Sequence, residues 1–188
     1  MDKLLGARFF MKLDIQWGYN NVQIHPDDIE KTAFKTPLGL FESLVMTFGL
    51  CNTPATFQTF MDTQFADLIA TGHVVIYLDD ILIFAETLQE LTRLMHHVLQ
   101  RIQDLDLFLR PAKCSFNQTS VKYLGLIILE GEIRMDPVKL KAIQEWPLPR
   151  TIKDIQKFLG FCNFYRQFVK DYSHIARPLF NLTRKGNP

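Results

Sequence analysis

Three acids sit where acids are costly. Asp14 lies near the end of the run FFMKLDI at residues 9–15, and Asp79 and Asp80 lie inside VVIYLDDILIF at residues 74–84. Runs this rich in Val, Ile, Leu and aromatics bury as strands, and an unpaired buried carboxylate is heavily penalised. For Asp79 and Asp80 two readings stand: a hairpin turn whose acids reach solvent, or a site where something positive meets them. Turn chemistry weighs against the first, because tight hairpins favour glycine at positive φ and Leu78-Asp79-Asp80-Ile81 holds none. If the two strands lie side by side, the three carboxylates converge. Like charges ~4 Å apart repel by ~1 kcal/mol in water and ~4 kcal/mol at an effective dielectric constant of about 20. Hard divalent cations remove that repulsion, and Mg²⁺ is the expected ion because it binds one or two carboxylates together with substrate phosphates. Two such ions ~4 Å apart serve in-line phosphoryl transfer, one activating the attacking oxygen and the other stabilising the leaving oxygen.

The elements that must position these acids can be read from pattern. Residues 9–15, 21–25, 32–36 and 40–46 are short strand candidates, separated by turn formers such as Pro26-Asp27-Asp28 and Pro37-Leu38-Gly39. Thr53 is a candidate N-cap with Pro54 at the first helical position, and Phe57, Phe60, Met61, Phe65, Leu68 and Ile69 recur at helical spacing until Gly72. The run at 74–84 reads as two strands with Leu78-Asp79-Asp80 near the turn. Thr87-x-x-Glu90 then forms a capping box ahead of a long amphipathic helix that reaches Leu105. Residues 121–129 and 133–135, joined through Glu130-Gly131, predict a further hairpin. Beyond Pro137 the chain turns helical, broken at Pro147-Leu148-Pro149 and restarted by a second capping box, Thr151-x-x-Asp154. This order predicts an α+β domain, with helices on one face of an antiparallel sheet, followed by a smaller helical one.

Composition narrows the class. With 188 residues, 47% of them hydrophobic, the chain can bury a sizeable core as one generous domain or two small ones. No apolar stretch approaches the ~20 residues of a spanning helix. The opening MDKLLGARFF lacks a secretory pattern, so an intracellular location is expected. Cys51, Cys114 and Cys162 are odd in number, far apart and without C-x-x-C spacing, which points to core thiols rather than disulfides or zinc. The net charge of +1 conceals a split: residues 1–109 carry seven basic and fourteen acidic side chains, residues 110–188 fourteen and six. A basic second part is a cue for polyanion binding, with solvated helix faces as the plain alternative.

KLD at residues 12–14, FGL at 48–50, YLDD at 77–80, YLG at 123–125 and FLGFCNFYRQF at 158–168, in this order and spacing, resemble the reverse transcriptase of gypsy-type LTR retrotransposons. The resemblance covers essentially the whole chain. It implies a polymerase palm, a ferredoxin-like antiparallel sheet with helices on one face, followed by a small helical thumb. Residues 1–18 would be the first part of the palm, 19–52 partial fingers, 53–135 the palm with its catalytic and primer-grip hairpins, and 136–188 the thumb and the start of the connection. The implied activity is RNA-directed DNA polymerisation, a two-metal nucleotidyl transfer from dNTP to a primer 3′-hydroxyl on an RNA or DNA template. The alternative is a catalytically silent remnant that only binds primer-template duplex or a partner protein.

By the same resemblance Asp14, Asp79 and Asp80 hold two Mg²⁺ ions, for which Mn²⁺ can substitute, with the carbonyl of Ile15 as a further ligand. Trp17 and Gly18 would offer backbone N–H groups to the triphosphate, Tyr19 would exclude a ribose 2′-hydroxyl, with a plain core tyrosine as the competing reading, and Phe48 and Gly49 would line the pocket beside the base. Tyr77 and Leu78 would lie against the primer end. Tyr123, Leu124 and Gly125 match the hairpin that grips the primer, although a plain buried strand explains Leu124 equally well. Gln156, Gly160 and Phe164 recur every four residues and match a minor-groove track, while Lys153, Lys157, Arg166 and Lys170 could meet phosphates without reading sequence. For Phe164 a core position, and for the lysines a solvated face, remain the competing readings. Gln16 and Trp17 stand where the family usually has a basic or small pair, and Thr47 where proline commonly precedes Phe-Gly. Partners implied are RNA/DNA hybrid, DNA duplex, dNTPs, and the upstream fingers and ribonuclease H portions of one Pol polyprotein. A cytoplasmic or retroelement-particle location goes with them.

Overall fold

The computed structural model describes residue 4 and residues 6–184; the outermost positions of the first and last expected segments lie outside these. Its strands and helices form an α+β protein. Strand β1 (Phe9–Asp14) runs antiparallel to β5 (Asp80–Ala85), which pairs on its other side with β4 (Val74–Tyr77). With β6 (Ser115–Gln118) these make a four-stranded sheet in the order β4-β5-β1-β6.

The two faces of β1 follow from the alternation of its residues. Met11 and Leu13, with Ile15 just beyond the strand, point to one side with Ile81, Ile83 and Ala85 of β5, and all six are buried. Helices α1 (Thr53–Gln64) and α3 (Leu88–Asp104) cover this side with Phe57, Met61, Leu91, Leu94, Val98 and Ile102 in one cluster. Each fully buried large aliphatic or aromatic side chain contributes roughly 1.5–3 kcal/mol, so this cluster dominates the stability of the sheet. The other face carries Phe10, Lys12 and Asp14 opposite Phe84, Leu82 and Asp80. It begins apolar and ends charged.

Several expected strands are shorter or differ in kind. Residues 21–25 are not a strand: a 3₁₀ turn spans Gly18–Asn21 and only the bridge Gln23↔Val45 remains. Pro26–Thr32 is a longer 3₁₀ segment, favoured by Pro26 at its start and by Asp27 and Asp28 in its first turn. The expected strands at 32–36 and 40–46 reduce to the small hairpin β2 (Phe34–Thr36) and β3 (Gly39–Phe41), with Gly39 at φ 137° in the turn.

The helix that begins at Thr53 does not run unbroken to Gly72. It breaks at the buried Phe65 (φ −111°) and resumes as α2 (Ala66–Ala70). Its N-cap is Asn52, and the Thr53 hydroxyl donates to the carbonyl of Thr47 instead. Thr87 caps α3 by accepting from the N–H of Glu90, but the reciprocal half of that box is absent because Glu90 faces His73, 3.8 Å away. The run 121–129 is interrupted at Leu124 and Gly125, both at positive φ, giving β7 (Ser120–Tyr123) and β8 (Leu126–Leu129). Glu130-Gly131 then turns into β9 (Glu132–Met135), and the sheet order is β7-β8-β9.

The chain divides into two compact units, residues 1–123 with 129–132, and residues 124–128 with 133–188. The second contains α4 (Pro137–Gln144), α5 (Ile152–Phe164) and α6 (Tyr172–Leu182). Helix α5 opens with the full capping box, Thr151 accepting from the Asp154 N–H while the Asp154 carboxylate accepts from the Thr151 N–H at 3.0 Å. Trp146, Phe158, Phe161 and Tyr165 form a chain of edge-to-face or tilted ring contacts, to which the exposed Phe164 adds its edge against Tyr165, with ring centroids 4.8–5.7 Å apart. Among the described residues no helix is long and apolar enough to cross a membrane.

Candidate active site

The antiparallel register sets Asp14 directly opposite Asp80. Residues opposite one another in such a pair point to the same face with Cβ atoms about 5 Å apart, so the two carboxylates share one side of the sheet. Asp79 is the second central residue of the two-residue turn between Tyr77 and Asp80. Its backbone carbonyl accepts from the N–H of Ile15 at 2.8 Å, which ties the turn to the end of β1. Its own side chain is exposed. The main chain of Asp14 is pinned from the other side, where its carbonyl accepts from the N–H of Arg110 at 2.9 Å.

The turn is held in an uncommon conformation. Leu78 takes φ 53°, a region that costs a residue with a side chain about 1–2 kcal/mol. Gln58 of α1 stabilises it: its side-chain oxygen accepts from the N–H of Leu78 at 2.7 Å. Its amide donates to the carbonyl of Ile76 at 3.3 Å and to Asp62 at 2.9 Å. Strain held in place by surrounding contacts is a mark of functional turns.

Cations surround the acids. Lys12 Nζ lies 2.7 Å from Asp80 Oδ1, Lys113 Nζ lies 3.3 Å from Asp14 Oδ2, and Arg110 Nε stands 4.0 Å from Asp14 Oδ1. Asp14 is only 4% exposed, and its Oδ1 is buried without a hydrogen-bond donor. A buried, donor-less carboxylate oxygen beside a second carboxylate suits a hard divalent cation with oxygen ligands. Among the described residues, however, no three acidic, histidine or cysteine side chains converge closely enough to hold a metal ion. Asp14 and Asp80 are brought together, while Asp79 joins them through its backbone.

Tyr123 turns inward. Its ring is buried and its hydroxyl donates to the backbone carbonyl of Asp80 at 3.3 Å. Burial first, and then the charge of Asp80, push its phenol well above the usual tyrosine range. Tyr123 thus supports the carboxylate strand, and at the turn that follows it Leu124 (φ 49°) is the exposed side chain.

Beside β1, Trp17 adopts φ 52° and is two-thirds exposed. A Cβ on Gly18 would come within 2.8 Å of the buried ring of Phe57, so only glycine lets the backbone pass there. Tyr19 lies edge-on to Phe57 and Phe48, at centroid distances of 5.4 and 4.9 Å. Phe48 is otherwise exposed, and Gly49 follows it at φ 101°. Gly18 and Tyr19 therefore meet Phe57, and Phe48 meets Tyr19, with Trp17 and Gly49 next to them in the chain. Tyr77 is half exposed at the end of β4.

In the second unit, Gln156, Gly160 and Phe164 all lie exposed along α5, as do Lys153 and Lys157, while Leu159 is buried. A Cβ at Gly160 would meet nothing within 4 Å, so packing inside this chain does not demand glycine there. Arg166 and Lys170 are also exposed.

Sequence reasoning missed Lys12, Gln58, Arg110 and Lys113. Lys12 carried a signal, since it lies two residues from Asp14 in a strand and so shares its face. The other three come close only through the tertiary fold.

Residues 1–128 match the family described as reverse transcriptase (RNA-dependent DNA polymerase). The chain is 36% identical to the Retrovirus-related Pol polyprotein from transposon 297 of Drosophila melanogaster, over 98% of its own length and 18% of that protein's. It is 38% identical to the corresponding polyprotein from transposon opus, over 95% and 18%. With the transposon Tf2-3 polyprotein of Schizosaccharomyces pombe it shares 35% identity over 97% of this chain and 14% of the relative. The chain thus spans less than a fifth of the length of these relatives. Among solved structures, the foamy viral protease-reverse transcriptase dRH in complex with double-stranded DNA matches 96% of this chain with a TM-score of 0.85 and 26% identity, over 32% of its own length. The same viral enzyme in complex with RNA/DNA hybrid matches 99% of this chain and 26% of its own, with a TM-score of 0.83 and 24% identity, a likeness of fold. The strained carboxylate hairpin packed against β1, and a family match over more than half of its length, agree: this chain belongs to the reverse transcriptase family of RNA-dependent DNA polymerases.

Proposed function

We propose that this chain is the palm and thumb portion of a retrotransposon reverse transcriptase, joining deoxynucleotides to a primer 3′-hydroxyl on an RNA or DNA template. The primer oxygen attacks the α-phosphorus of the dNTP, a phosphodiester forms, pyrophosphate leaves, and the hydroxyl proton is released. The observation that carries this reading is the pairing of Asp14 with Asp80 across β1 and β5, beside the turn that bears Asp79. In this reading Asp14, Asp79 and Asp80, with the Ile15 carbonyl, hold two Mg²⁺ ions, and the donor-less buried oxygen of Asp14 supports it. Bound there, the ions supply activation of the attacking oxygen and charge stabilisation of the leaving one.

The chain's own residues supply position. Tyr19, braced edge-on by Phe57 and Phe48, presents a fixed ring where a ribose 2′-hydroxyl would collide. Trp17 and Gly18 offer backbone N–H groups to the triphosphate, and Phe48 and Gly49 flank the base. Tyr77, Leu78, Leu124 and Gly125 meet the primer end, with Tyr123 as the support beneath Asp80. On α5 the exposed row of Gln156, Gly160 and Phe164, flanked by Lys153 and Lys157, suits a nucleic-acid backbone, because the open space at Gly160 admits a close approach. Partners are then RNA/DNA hybrid, DNA duplex, dNTPs and neighbouring portions of the polyprotein, within a cell or retroelement particle. Residues 1–18 and 53–135 serve as palm, 19–52 as partial fingers and 136–188 as thumb.

Primer extension on an RNA template tests the reading, with duplex affinity measured in parallel. Mg²⁺-dependent extension abolished by Asp79→Asn is the expected result, and extension surviving that change contradicts it. Tight duplex binding with no synthesis at high dNTP supports the silent remnant instead.

A further inference from the structure

Lys12 is the cation most deeply set among the acids. It lies on the same face of β1 as Phe10 and Asp14, between a buried aromatic and the buried carboxylate, opposite the buried Leu82. Its Nζ is 2.7 Å from Asp80 Oδ1, and the two side chains are only 21% and 24% exposed. Lys113 and Arg110, the other cations near Asp14, have side chains 53% and 39% exposed. A lysine that gives up most of its hydration to meet one carboxylate oxygen at contact distance is a fixed partner rather than a loose surface pair.

The register explains what that partner is needed for. Asp14 and Asp80 are held opposite each other by the strand pairing itself, so their repulsion is built into the fold and cannot be relieved by moving apart. We propose that Lys12 is a positioning residue, a built-in counter-cation that holds Asp80 beside Asp14 in the ion-free protein and competes with a divalent ion for the same Asp80 carboxylate. This rests on reading the carboxylates as a divalent-ion site. Its consequence is that ion loading is kept weak until a triphosphate brings oxygens of its own, which ties loading to nucleotide arrival. Lys12 thereby protects the site from filling without substrate.

The test is a Mn²⁺ titration of the whole chain, free of nucleic acid and nucleotide, followed by electron paramagnetic resonance of the unbound ion, with thermal melting recorded at zero and saturating Mn²⁺. Lys12→Met is expected to melt below the unaltered chain without ions. It should bind Mn²⁺ about tenfold more tightly, because a unit charge ~4 Å away no longer competes. Saturating Mn²⁺ then closes most of the gap in melting temperature. Lys12→Arg keeps the charge and should keep the original affinity. Lys12→Gln repeats the measurement should methionine at this position prevent folding. Unchanged or weaker Mn²⁺ binding in the neutral variants, with binding intact in the unaltered chain, overturns the role of Lys12 alone. No Mn²⁺ binding to either overturns the ion-site reading and this inference with it.

Discussion

Gln58→Ala removes the clamp on the carboxylate turn, and its effect can be worked from the contacts. Two of the three hydrogen bonds made by the Gln58 side chain go to the backbone of the hairpin, at Leu78 N–H and Ile76 C=O. The third, to Asp62, is exposed. A hydrogen bond of this kind nets about 1 kcal/mol, and the solvent-facing one contributes little, so the expected loss is about 2 kcal/mol. For a protein of this size that corresponds to roughly 4–8 °C in melting temperature. Leu78, at φ 53°, gains most by relaxing, so the damage is local to the turn. Urea unfolding followed by far-UV circular dichroism gives the stability, and hydrogen exchange at the Leu78 amide gives the site. Extension should slow while primer-template affinity holds, because the variant displaces Asp79 and Asp80 without touching the α5 face. Gln58→Glu keeps the acceptor for Leu78 N–H and should retain most of its protection. A stability change within about 0.5 kcal/mol, with the Leu78 amide exchanging at its original rate, would refute the clamp.

Other perturbations follow from the same contacts. Gly18→Ala should destabilise by about 1–3 kcal/mol in denaturant unfolding, since its Cβ would press on the Phe57 ring at 2.8 Å and that ring is fully buried. Tyr19→Val should admit ribonucleotides in a sugar-competition assay, and an unchanged preference counts against Tyr19 as the gate. Tyr123 has its folded pKa raised by burial and by Asp80, so its contribution is complete below the ordinary tyrosine value of 10.0 and is lost as pH rises above it. Absorbance titration of phenolate should show Tyr123→Phe removing one late-ionising group. Asp154 has its folded pKa lowered, first by the Thr151 hydroxyl and then by the backbone N–H of Arg150, so the α5 cap should persist above the ordinary carboxylate value of 3.8 and fail as pH falls through the lowered one. Thr151→Ala should cost about 1 kcal/mol of helix stability by thermal melting.

Much of the site was legible because strand alternation and charge cost are local. Asp14, Asp79 and Asp80 stood out as acids in apolar runs, while the side-by-side pairing that the sequence left as a condition is met by β1 and β5 in antiparallel register. The capping box at Thr151 and Asp154 was legible for the same reason, being a pattern four residues long. The box at Thr87 and Glu90 was only half readable. Glu90 has a tertiary competitor in His73, and no local rule anticipates that. Residues 21–25 and 40–46 have the composition of strands, yet Gln23 and Val45 make one isolated bridge, because Pro26 and the 3₁₀ turns around it leave no room for a longer ladder. Gln58, Arg110 and Lys113 were invisible since their roles arise from contacts at long sequence separation. Tyr123, Leu124 and Gly125 were matched together to a primer-gripping hairpin, but alternation in β7 buries both Val121 and Tyr123, and the exposed position falls to Leu124.

In the proposed reaction Asp14, Asp79 and Asp80 act on one pair of divalent ions. Counting Mn²⁺ bound per chain by pulsed electron paramagnetic resonance, in a complex with chain-terminated primer, RNA template and incoming dNTP, tests it most directly. Two ions per chain, with at least one lost in each of Asp14→Asn, Asp79→Asn and Asp80→Asn, is the predicted result. A full complement of ions in the Asp14→Asn chain would contradict it.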